Sequence, residues 1–327
     1  KAGQLLIARN GKLEAGPVKG TPEVVSEGQG GLMDVAVDPK FSENGWIYLS
    51  FSHGLPAEDG KPQRAMTKIV RGKIEKGRWT NEETLFAASP DHYVPSRVHY
   101  GCRIVFDEAG HLYFSIGERG MQENAQDLSR PNGKVHRIWP DGSIPEDNPF
   151  VKTPGALPSI YSYGNRNPQG LAIHPVTGYL WETEHGPMGG DEINVIESGK
   201  NYGWPVITWG RNYNGAPVSA LTEKDGLEQP ASFWRPSIGV CGMDIYNGEQ
   251  FPVWRGALLV TALRNEELRI VRVAGEHVQH QEIILKNMGR ARDVVAGPDG
   301  AIYLVTNGPG AIMKLSYIKE RAYKALE

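Results

Sequence analysis

Short apolar runs dominate the pattern of this chain, and most of them occur in pairs. In each pair, one run ends in a turn rich in Pro, Gly and Asp, and a second run rich in Tyr, Leu and Ile follows. Short runs bounded by turn residues predict β-strands, so each pair predicts two strands joined by a turn. The pairs are Gly31–Pro39 with Trp46–Ser50, Cys102–Asp107 with His111–Ser115, Gln169–Pro175 with Gly178–Trp181, Cys241–Tyr246 with Gly256–Val260, and Arg292–Pro298 with Ala301–Val305.

A partial copy of the pattern, Gly3–Ala8, opens the chain and brings the number of copies to six. Repeated four-stranded units of about 40 to 50 residues are typical of a β-propeller. A strand pair of this size cannot bury its own face, so neighbouring units must stack around an axis. The sequence therefore predicts an all-β fold, a six-bladed β-propeller with four-stranded antiparallel blades around a central channel.

The two ends of the chain are less regular. The strand expected before Gly3 is missing, so either residues were removed from the first blade or the last strand, Ala311–Ser316, closes the ring differently. The tail Lys319–Glu327 predicts a short polar helix or a disordered end. Because no linker divides the chain, we expect residues 1–327 to form a single domain with an incomplete first blade.

Composition narrows the function. The chain has 327 residues, a net charge of -3 and a pI near 6.4, which gives no sign of a nucleic-acid partner. No apolar run approaches the roughly 18 residues of a membrane span. The absence of an initiator Met suggests processing or trimming. Cys102 and Cys241 lack metal-ligand spacing, so they are either two buried thiols or a disulfide.

The loop Glu184–Glu192 concentrates candidate metal ligands directly after a predicted strand. Gly186 and Pro187 can turn backbone carbonyls outward, while Asp191 and Glu192 add carboxylates. Carbonyl and carboxylate oxygens are the ligands that Ca²⁺ prefers. For such a loop on its own, an ordinary surface turn is the favoured explanation.

Four other loops enter predicted strand pairs from the same side, so a propeller would gather them at one mouth of its channel. They contain His99, Arg166 with Asn167, Arg290 with Arg292, and the glycine-rich Gly28–Gly31. A single histidine is usually structural, and paired arginines usually mark a solvated face or a salt bridge. Together, however, a histidine base and several cations suit a polyanionic organic cofactor and the removal of a proton from a hydroxyl group.

The chain resembles the soluble quinoprotein glucose and aldose sugar dehydrogenases, which use pyrroloquinoline quinone (PQQ), and it is most similar to the aldose sugar dehydrogenase branch. The resemblance covers nearly the whole chain, and the order of its motifs is more specific than any one of them. The motifs are Gly28–Leu32, His99–Arg103, Ile116–Gly120, Asn124–Asp127, Gly133–Ile138, Asp141–Phe150, Tyr163–Gly170, Glu184–Pro187, Gly190–Asn194, Asn201–Pro205 and Arg290–Asp293.

The resemblance implies a six-bladed propeller with PQQ at one mouth. It implies that His99 is the catalytic base for the anomeric hydroxyl of the sugar. The anomeric hydrogen then leaves as hydride to the C5 carbon of PQQ, and Arg166 polarises the oxygen of that carbonyl with Asn167 beside it. One difference is Val98, where the glucose branch has an aspartate, which suggests looser sugar selectivity.

The same resemblance implies the remaining ligands. The carbonyls of Gly186 and Pro187 hold a catalytic Ca²⁺, and the Glu192 side chain with the Tyr202 backbone matches a second, structural Ca²⁺ site. Further calcium ligands of the glucose branch are not recognisable. Residues expected to contact cofactor or substrate are Gln29, Arg264, Arg290 and Arg292, with Tyr213 or Trp234 flanking the quinone.

The predicted partners are aldose sugars and an unidentified electron acceptor, and the family implies a periplasmic or secreted location. Two other functions fit a propeller: a calcium-dependent hydrolase such as a lactonase, and a non-catalytic binding module. A lactonase would hold calcium with side chains deep in the channel and would not need an arginine cluster. A binding module would not need His99, Arg166, Arg290 and Arg292 together.

Overall fold

Antiparallel strands joined by short turns make up almost all regular structure in the computed structural model, which describes residues 1–57 and 59–318. The predicted tail, 319–327, lies outside the described residues. Helical structure in these two ranges is limited to one turn of α-helix and three 3-10 segments: α1 (Phe41–Asn44), Pro90–His92, Gln122–Ala125 and Pro252–Trp254. Among the described residues, no helix has the length and apolar character needed to cross a membrane.

Each sheet is a meander in which every strand pairs antiparallel with the next strand in the chain. A short hairpin comes first, with β1 (Ala8–Arg9) and β2 (Lys12–Leu13). The first sheet contains β3 (Leu32–Val37), β4 (Ile47–Gly54), β5 (Ala65–Glu75) and β6 (Arg78–Phe86). The second contains β7 (Ile104–Phe106), β8 (Leu112–Ile116), β9 (Lys134–Ile138) and β10 (Ile160–Tyr163).

The remaining sheets follow the same plan. The third contains β11 (Pro168–Ile173), β12 (Leu180–Glu184), β13 (Asp191–Ile196) and β14 (Ser232–Trp234). The fourth contains β15 (Val240–Ile245), β16 (Leu258–Ala262), β17 (Glu267–Ala274) and β18 (His277–Lys286). The fifth contains β19 (Arg290–Ala296), β20 (Ile302–Asn307) and β21 (Ala311–Leu315). First strands of successive sheets contact each other, so the sheets are blades of a β-propeller.

The hydrophobic core lies between blades rather than within them. Tyr48 and Met66 of the first sheet pack against Leu112 and Phe114 of the second. Trp181 of the third sheet packs in the same way against the fourth. Polar contacts cross the same boundaries: for example, the Ser50 hydroxyl donates to the Cys102 carbonyl at 2.6 Å. Each sheet therefore depends on its neighbours to cover its apolar faces, as the short repeats predict.

An aspartate stabilises the turn between the first two strands in three of the blades. In each case one carboxylate oxygen accepts a backbone N–H of the turn, and the other accepts a tyrosine hydroxyl from the next strand. The pairs are Asp38 with Tyr48, Asp107 with Tyr113, and Asp299 with Tyr303, at 2.7, 3.2 and 2.9 Å between oxygens. The Asp and Tyr of the sequence repeat thus stabilise the turns.

The predicted number of six blades is wrong for the described residues, which form five blades of three or four strands and one hairpin. The partial copy Gly3–Ala8 is too short to make four strands. Its carbonyls instead accept backbone N–H groups from the residues that follow the first hairpin turn, as in the 2.8 Å contacts of Val18 N–H with the Leu5 carbonyl and of Glu14 N–H with the Ile7 carbonyl. Leu5 and Val18 then cover Leu49 and Phe51 of the first sheet.

The boundary between the fifth and first sheets is consequently covered only in part. Val35 and Val37 on β3 are 51% and 57% exposed, and Val295 on β19 is 51% exposed. On inner strands at the other boundaries, such side chains are buried: Val240 on β15, for example, is fully covered. The exposed valines therefore mark the position where no further four-stranded blade is present among the described residues.

Arg103 joins several blades near the axis. Its Nη1 donates to Asp34 of the first sheet at 3.2 Å and to Asp293 of the fifth at 2.7 Å. Its Nε donates to the Gln169 carbonyl of the third sheet at 2.6 Å, and its Nη2 to the Arg292 carbonyl at 3.1 Å. The guanidinium is almost completely buried, so these contacts form a charged network inside the ring.

Candidate functional site

His99 lies in a strained segment between the first and second sheets. Its φ is +53°, and Gly101 and Cys102 follow with φ of +68° and +128°. Residues other than glycine rarely adopt this left-handed region, and they cluster at functional sites when they do. Gln29 supports the segment because its side-chain oxygen accepts the His99 N–H at 2.7 Å.

The imidazole of His99 is paired with a buried carboxylate. Its Nδ1 hydrogen-bonds Glu118 Oε1, and the Glu118 side chain is 1% exposed. Burial lowers the pKa of His99 despite the opposing effect of Glu118, so the ring is held neutral. With the ring proton on Nδ1 facing Glu118, the Nε2 lone pair is available to accept a proton.

Glu118 is the main functional candidate that the sequence did not single out. It belongs to the motif Ile116–Gly120, which was noted only for its resemblance to a family. Its neighbour Gly117 allows the close packing, because a Cβ there would lie 2.4 Å from the His99 carbonyl oxygen and 2.7 Å from Asn167 Oδ1. A glycine directly before a carboxylate was the available signal.

Arg166 and Asn167 lie beside this pair. Glu184 holds both of them, since its Oε2 accepts the backbone N–H of Arg166 at 2.5 Å and of Asn167 at 3.2 Å. Asn167 Oδ1 accepts the Gly101 N–H at 3.2 Å, which connects it to the His99 segment. The structure thus brings His99, Arg166 and Asn167 into one site, with their side chains largely buried.

The turn that follows Glu184 presents backbone carbonyls to the Arg166 guanidinium. Nη1 of Arg166 donates to the carbonyls of His185 and Gly186 at 2.9 and 2.8 Å. Gly186 cannot be replaced without distortion, because a Cβ would lie 2.2 Å from the Gly190 carbonyl group. The Pro187 carbonyl accepts the Ser237 hydroxyl at 3.3 Å. Both carbonyls predicted as calcium ligands are therefore at the site, and one already accepts from Arg166.

Asp191 anchors that turn to the next blade. One carboxylate oxygen accepts the Gly186 N–H at 3.0 Å, and the other accepts the N–H groups of Gly239 and Val240 at 2.7 and 2.9 Å. Asp191 is 1% exposed. Its role is therefore to hold backbone groups in place, and it is not free to bind a metal with both oxygens.

A cavity of about 590 Å³ adjoins these residues, within the roughly 300–1,000 Å³ of small-molecule sites. Gln29, Arg290 and Arg292 line it. So do His185, whose carbonyl accepts from Arg166, and the two residues that follow His99, Tyr100 and Gly101. Burial lowers the pKa of His185 to about 4, so its imidazole is neutral. Cys102, which also lines the cavity, and Cys241 are buried free thiols.

The other residues expected at the cofactor lie at different depths. Arg264 donates from Nη1 to the Ser237 carbonyl at 3.1 Å. Ser237 also donates its hydroxyl to the Pro187 carbonyl, so this one residue connects Arg264 to the turn. Tyr213 is 77% exposed on a segment whose Arg211 pairs with Met188 beside the turn. Trp234 packs in the core between the third and fourth sheets, so the expectation that it flanks a cofactor is wrong.

Glu192, the second predicted calcium ligand, belongs to a buried group of carboxylates. Asn194 Nδ2 lies 2.9 Å from Glu182, 3.4 Å from Glu184 and 3.4 Å from Glu192. Within residues 1–57 and 59–318, no hydrogen bond joins Glu192 to Tyr202, whose N–H donates to the Tyr163 carbonyl at 2.8 Å. No set of three or more His, Cys, Asp or Glu side chains there has metal-binding geometry.

The carboxylate group destabilises the fold as it ionises. Burial, and then repulsion between the carboxylates, raises the pKa of Glu182 and of Glu192, while burial raises that of Glu184 to about 7. A carboxyl whose pKa is higher in the folded state contributes stability below the unfolded value, near 4.5, and loses it as the pH rises. The stability from Glu184 should therefore fall between about pH 4.5 and 7, and the stability from Glu182 and Glu192 should also fall as the pH rises above 4.5.

We expect Glu182→Gln to raise the free energy of unfolding by about 1–3 kcal/mol at pH 8, with a smaller gain near pH 5. Glu182 is fully buried, and its Oε1 has no hydrogen-bond partner in the described part of the chain, whereas the other carboxylate oxygen accepts from Asn194. An amide can keep that contact and removes the ionisation that burial makes unfavourable. Urea unfolding of chelator-treated protein from pH 4.5 to 8 measures this. The exposed Glu108→Gln is the control, and a less stable Glu182 variant at pH 8 would contradict the expectation.

Unpartnered donors indicate what the cavity can bind. Arg166 Nε and Asn167 Nδ2 are buried and make no hydrogen bond to any residue that the structure describes. Both residues hydrogen-bond residues of the cavity wall, Arg166 to His185 and Asn167 to Gly101. Buried donors normally have acceptors, so these atoms fit a ligand rich in carbonyl and carboxylate oxygens. The guanidinium groups of Arg290 and Arg292 on the cavity wall fit the same ligand, and PQQ has this chemistry.

Comparisons with known proteins identify the family of this chain. The family model described as "Glucose / Sorbosone dehydrogenase" matches residues 1–314. Aldose sugar dehydrogenase YliI of Escherichia coli strain K12 is 40% identical over 322 residues, which cover 97% of this chain and 85% of that protein.

Solved structures agree as well. The apo-form of the E. coli soluble aldose sugar dehydrogenase is 39% identical, with a TM-score of 0.89 over 97% of this chain and 91% of that one. The PQQ-bound aldose sugar dehydrogenase of Streptomyces coelicolor is 28% identical, with a TM-score of 0.74 over 96% and 88% of the two chains. The chain therefore belongs to the glucose/sorbosone dehydrogenase family, and the predicted resemblance and the predicted class of enzyme, a quinoprotein sugar dehydrogenase, are confirmed.

Proposed function

We propose that this protein oxidises aldose sugars at the anomeric carbon to the lactone, with PQQ and Ca²⁺ as cofactors and His99 as the base. The observation that carries the proposal is the His99–Glu118 pair beside Arg166 and Asn167, at the edge of a cavity lined by arginines. A lactonase or a binding module gives no reason for unpartnered guanidinium and amide donors in that position.

His99 removes the proton of the anomeric hydroxyl. Because Nδ1 faces Glu118, the neutral ring presents Nε2 to the substrate and becomes an imidazolium that the Glu118 carboxylate stabilises. As the hydroxyl oxygen loses its proton, the hydrogen on the anomeric carbon leaves with the electron pair of its C–H bond, that is, as a hydride. The sugar becomes the lactone, and His99 later returns its proton to solvent.

Other residues of the chain prepare the site for the cofactors. Arg166 Nε and Asn167 Nδ2 are positioned to donate to a quinone oxygen, and Arg290 and Arg292 to bind carboxylates. The carbonyls of Gly186 and Pro187 would hold the catalytic Ca²⁺. When bound, PQQ supplies the electrophilic carbon that accepts hydride, and Ca²⁺ supplies a Lewis acid. Glu192 and Tyr202 remain our candidates for a structural Ca²⁺ site, supported by the carboxyl groups of Glu182 and Glu184, which gather with Glu192 around Asn194.

The test is reconstitution of chelator-treated protein. We expect dye-linked glucose oxidation only when both Ca²⁺ and PQQ are added, and PQQ absorbance should change on titration. Equal activity without PQQ would refute the cofactor assignment. Lactone hydrolysis with Ca²⁺ alone would instead favour the hydrolase, and binding without turnover of any aldose would favour the binding module. The periplasmic or secreted location and the electron acceptor stay predictions.

We expect Glu118→Gln to lower kcat by about 10- to 100-fold with little change in KM. A glutamine amide can donate to Nδ1, which moves the ring proton to Nε2 and removes the basic lone pair. Loss of the carboxylate also lowers the pKa of His99, so the acid limb of the pH–rate profile should move to lower pH.

The matched control for this change is Asp107→Asn. Asp107 accepts from His111 Nδ1 at 2.8 Å and so forms a second histidine–carboxylate pair, in a turn between strands. We expect this control to keep kcat within twofold. A Glu118→Gln enzyme with a kcat within threefold of wild type would contradict the assigned role.

A further inference from the structure

Arg119 is a buried arginine without a salt bridge in the described ranges. Its side chain is fully covered, and its two Nη groups donate to backbone carbonyls rather than to a carboxylate, while Nε has no hydrogen-bond partner among the described residues. Nη1 donates to the Val98 carbonyl, and Nη2 donates to the carbonyls of Ser96 and Ala65 at 2.6 and 3.3 Å. Burying a guanidinium is unfavourable, so such a placement needs a structural or functional explanation.

The contacts of Arg119 enclose the catalytic histidine in sequence. Ser96 and Val98 come three positions and one position before His99, and Tyr100 comes directly after it. The Arg119 guanidinium carbon lies 3.4 Å from the centre of the Tyr100 ring, so the cation stacks on that ring. One side chain therefore holds the chain on both sides of His99 without contacting its imidazole.

The His99 segment needs such support, because its conformation is intrinsically unfavourable. His99 and Cys102 both have positive φ, and neither is a glycine. The Thr67 hydroxyl donates to the Tyr100 carbonyl at 2.7 Å, and Gln29 accepts the His99 N–H. Neither of them contacts the carbonyls of Ser96 and Val98, which accept from Arg119 instead. Strained segments persist only when surrounding contacts over-determine them.

We propose that Arg119 is a positioning residue for the sugar oxidation: its guanidinium fixes the backbone around His99 while the adjacent Glu118 fixes the imidazole. The dipeptide Glu118–Arg119 thus sets both the position and the orientation of the base. This inference rests on the function proposed above.

Charge gives the proposal a second measurable consequence. Burial lowers the pKa of Arg119 to about 10, so it remains a cation at neutral pH, and this cation lowers the pKa of His99. The other charged groups that act on His99 are Glu118, which raises its pKa, and Arg166, which lowers it. A lysine at position 119 keeps the charge but loses the planar fork, whereas methionine loses both.

The experiment compares Arg119→Lys and Arg119→Met in the enzyme reconstituted with PQQ and Ca²⁺. We expect both to lower kcat at least tenfold, while KM and the affinity for PQQ change less than threefold. In the methionine variant the acid limb of the pH–rate profile should also move to higher pH, and in the lysine variant it should stay in place. Arg130→Lys and Arg130→Met are the controls, since Arg130 pairs with Asp127 at 3.4 Å in the neighbouring turn.

A measurement without turnover separates this proposal from the proposed function. Hydrogen exchange of residues 96–101 should be faster in Arg119→Lys than in wild type, with exchange elsewhere unchanged. If the wild-type protein shows no sugar oxidation but the exchange result is as expected, the proposed function is refuted, while the role of Arg119 in fixing the backbone around His99 is supported.

Three results would overturn the proposal. The first is kcat within twofold of wild type in the lysine variant, which also decides the matter if the methionine variant does not fold. The second is a loss of PQQ affinity equal to the loss of kcat. The third is unchanged exchange in residues 96–101.

Discussion

Replacing His99 with glutamine is expected to lower kcat by about 10²- to 10⁴-fold, the range that a positioned general base contributes. Glutamine is similar in size and can still hydrogen-bond Glu118, but it cannot accept the hydroxyl proton. PQQ binding should persist, because the arginines that line the cavity are untouched. Steady-state dye-linked glucose oxidation and a PQQ titration of the same preparation measure the two effects.

The control for this substitution is His111→Gln, which removes a histidine that also faces a carboxylate but lies in a turn away from the cavity. Its kcat should stay within twofold of wild type. A His99→Gln enzyme with more than a tenth of wild-type kcat would show that another group is the base.

The second large effect concerns stability. Arg103→Met is expected to lower the free energy of unfolding by about 3–5 kcal/mol, because Asp34 and Asp293 would lose the cation between them. Burial already raises the pKa of Asp34 to about 6 with Arg103 in place. Without the guanidinium, that pKa should rise further, so the variant should lose most stability at alkaline pH. Urea unfolding at pH 5 and pH 8 measures the change.

Two further variants interpret that result. Arg9→Met removes an exposed partner of Glu14 and should change stability by less than about 0.5 kcal/mol. Adding Asp293→Asn to Arg103→Met should recover part of the loss, because one uncompensated charge disappears. An Arg103→Met protein as stable as wild type would show that the network near the axis does not hold the blades together.

The fold class could be predicted from the sequence because a propeller repeats one local pattern. Strand pairs such as Cys102–Asp107 with His111–Ser115 carry their own turn signal, in this case Asp107 and its contact with Tyr113. The number of blades could not be predicted in the same way. Gly3–Ala8 has the composition of a strand, but whether it becomes part of a four-stranded sheet depends on strands with which it could pair and which are distant in sequence.

The site divides along a similar line. Loops at equivalent repeat positions converge, so the sequence repeat alone predicts that the loops of His99 and Arg166 lie on the same side of the propeller. Glu118 did not follow from the repeat, since a glutamate after a strand is usually exposed, and only the packing of the His99 segment buries it. The Arg166 contact with the Gly186 carbonyl also depends on side-chain conformation, about which the sequence is silent.

Asp191 and Glu192 show the limit most clearly. In the sequence they form one carboxylate pair, yet successive strand residues point to opposite faces. Asp191 therefore accepts backbone N–H groups of two blades, while Glu192 joins the carboxylates around Asn194. Their different roles depend on how β13 pairs with β12 and β14, which the sequence of the loop does not show.

The three hydrogen bonds of Asp191 make the Gly186 turn and the start of the fourth blade one mechanical unit. A cation that binds the Gly186 carbonyl would also restrain the Gly186 N–H, which donates to Asp191. Asp191 in turn accepts the amides of Gly239 and Val240, so these amides would be restrained as well. Calcium loading should then slow hydrogen exchange at these two amides in another blade. Such coupling would let the ion stiffen the boundary between third and fourth blades while the first blade keeps its own dynamics.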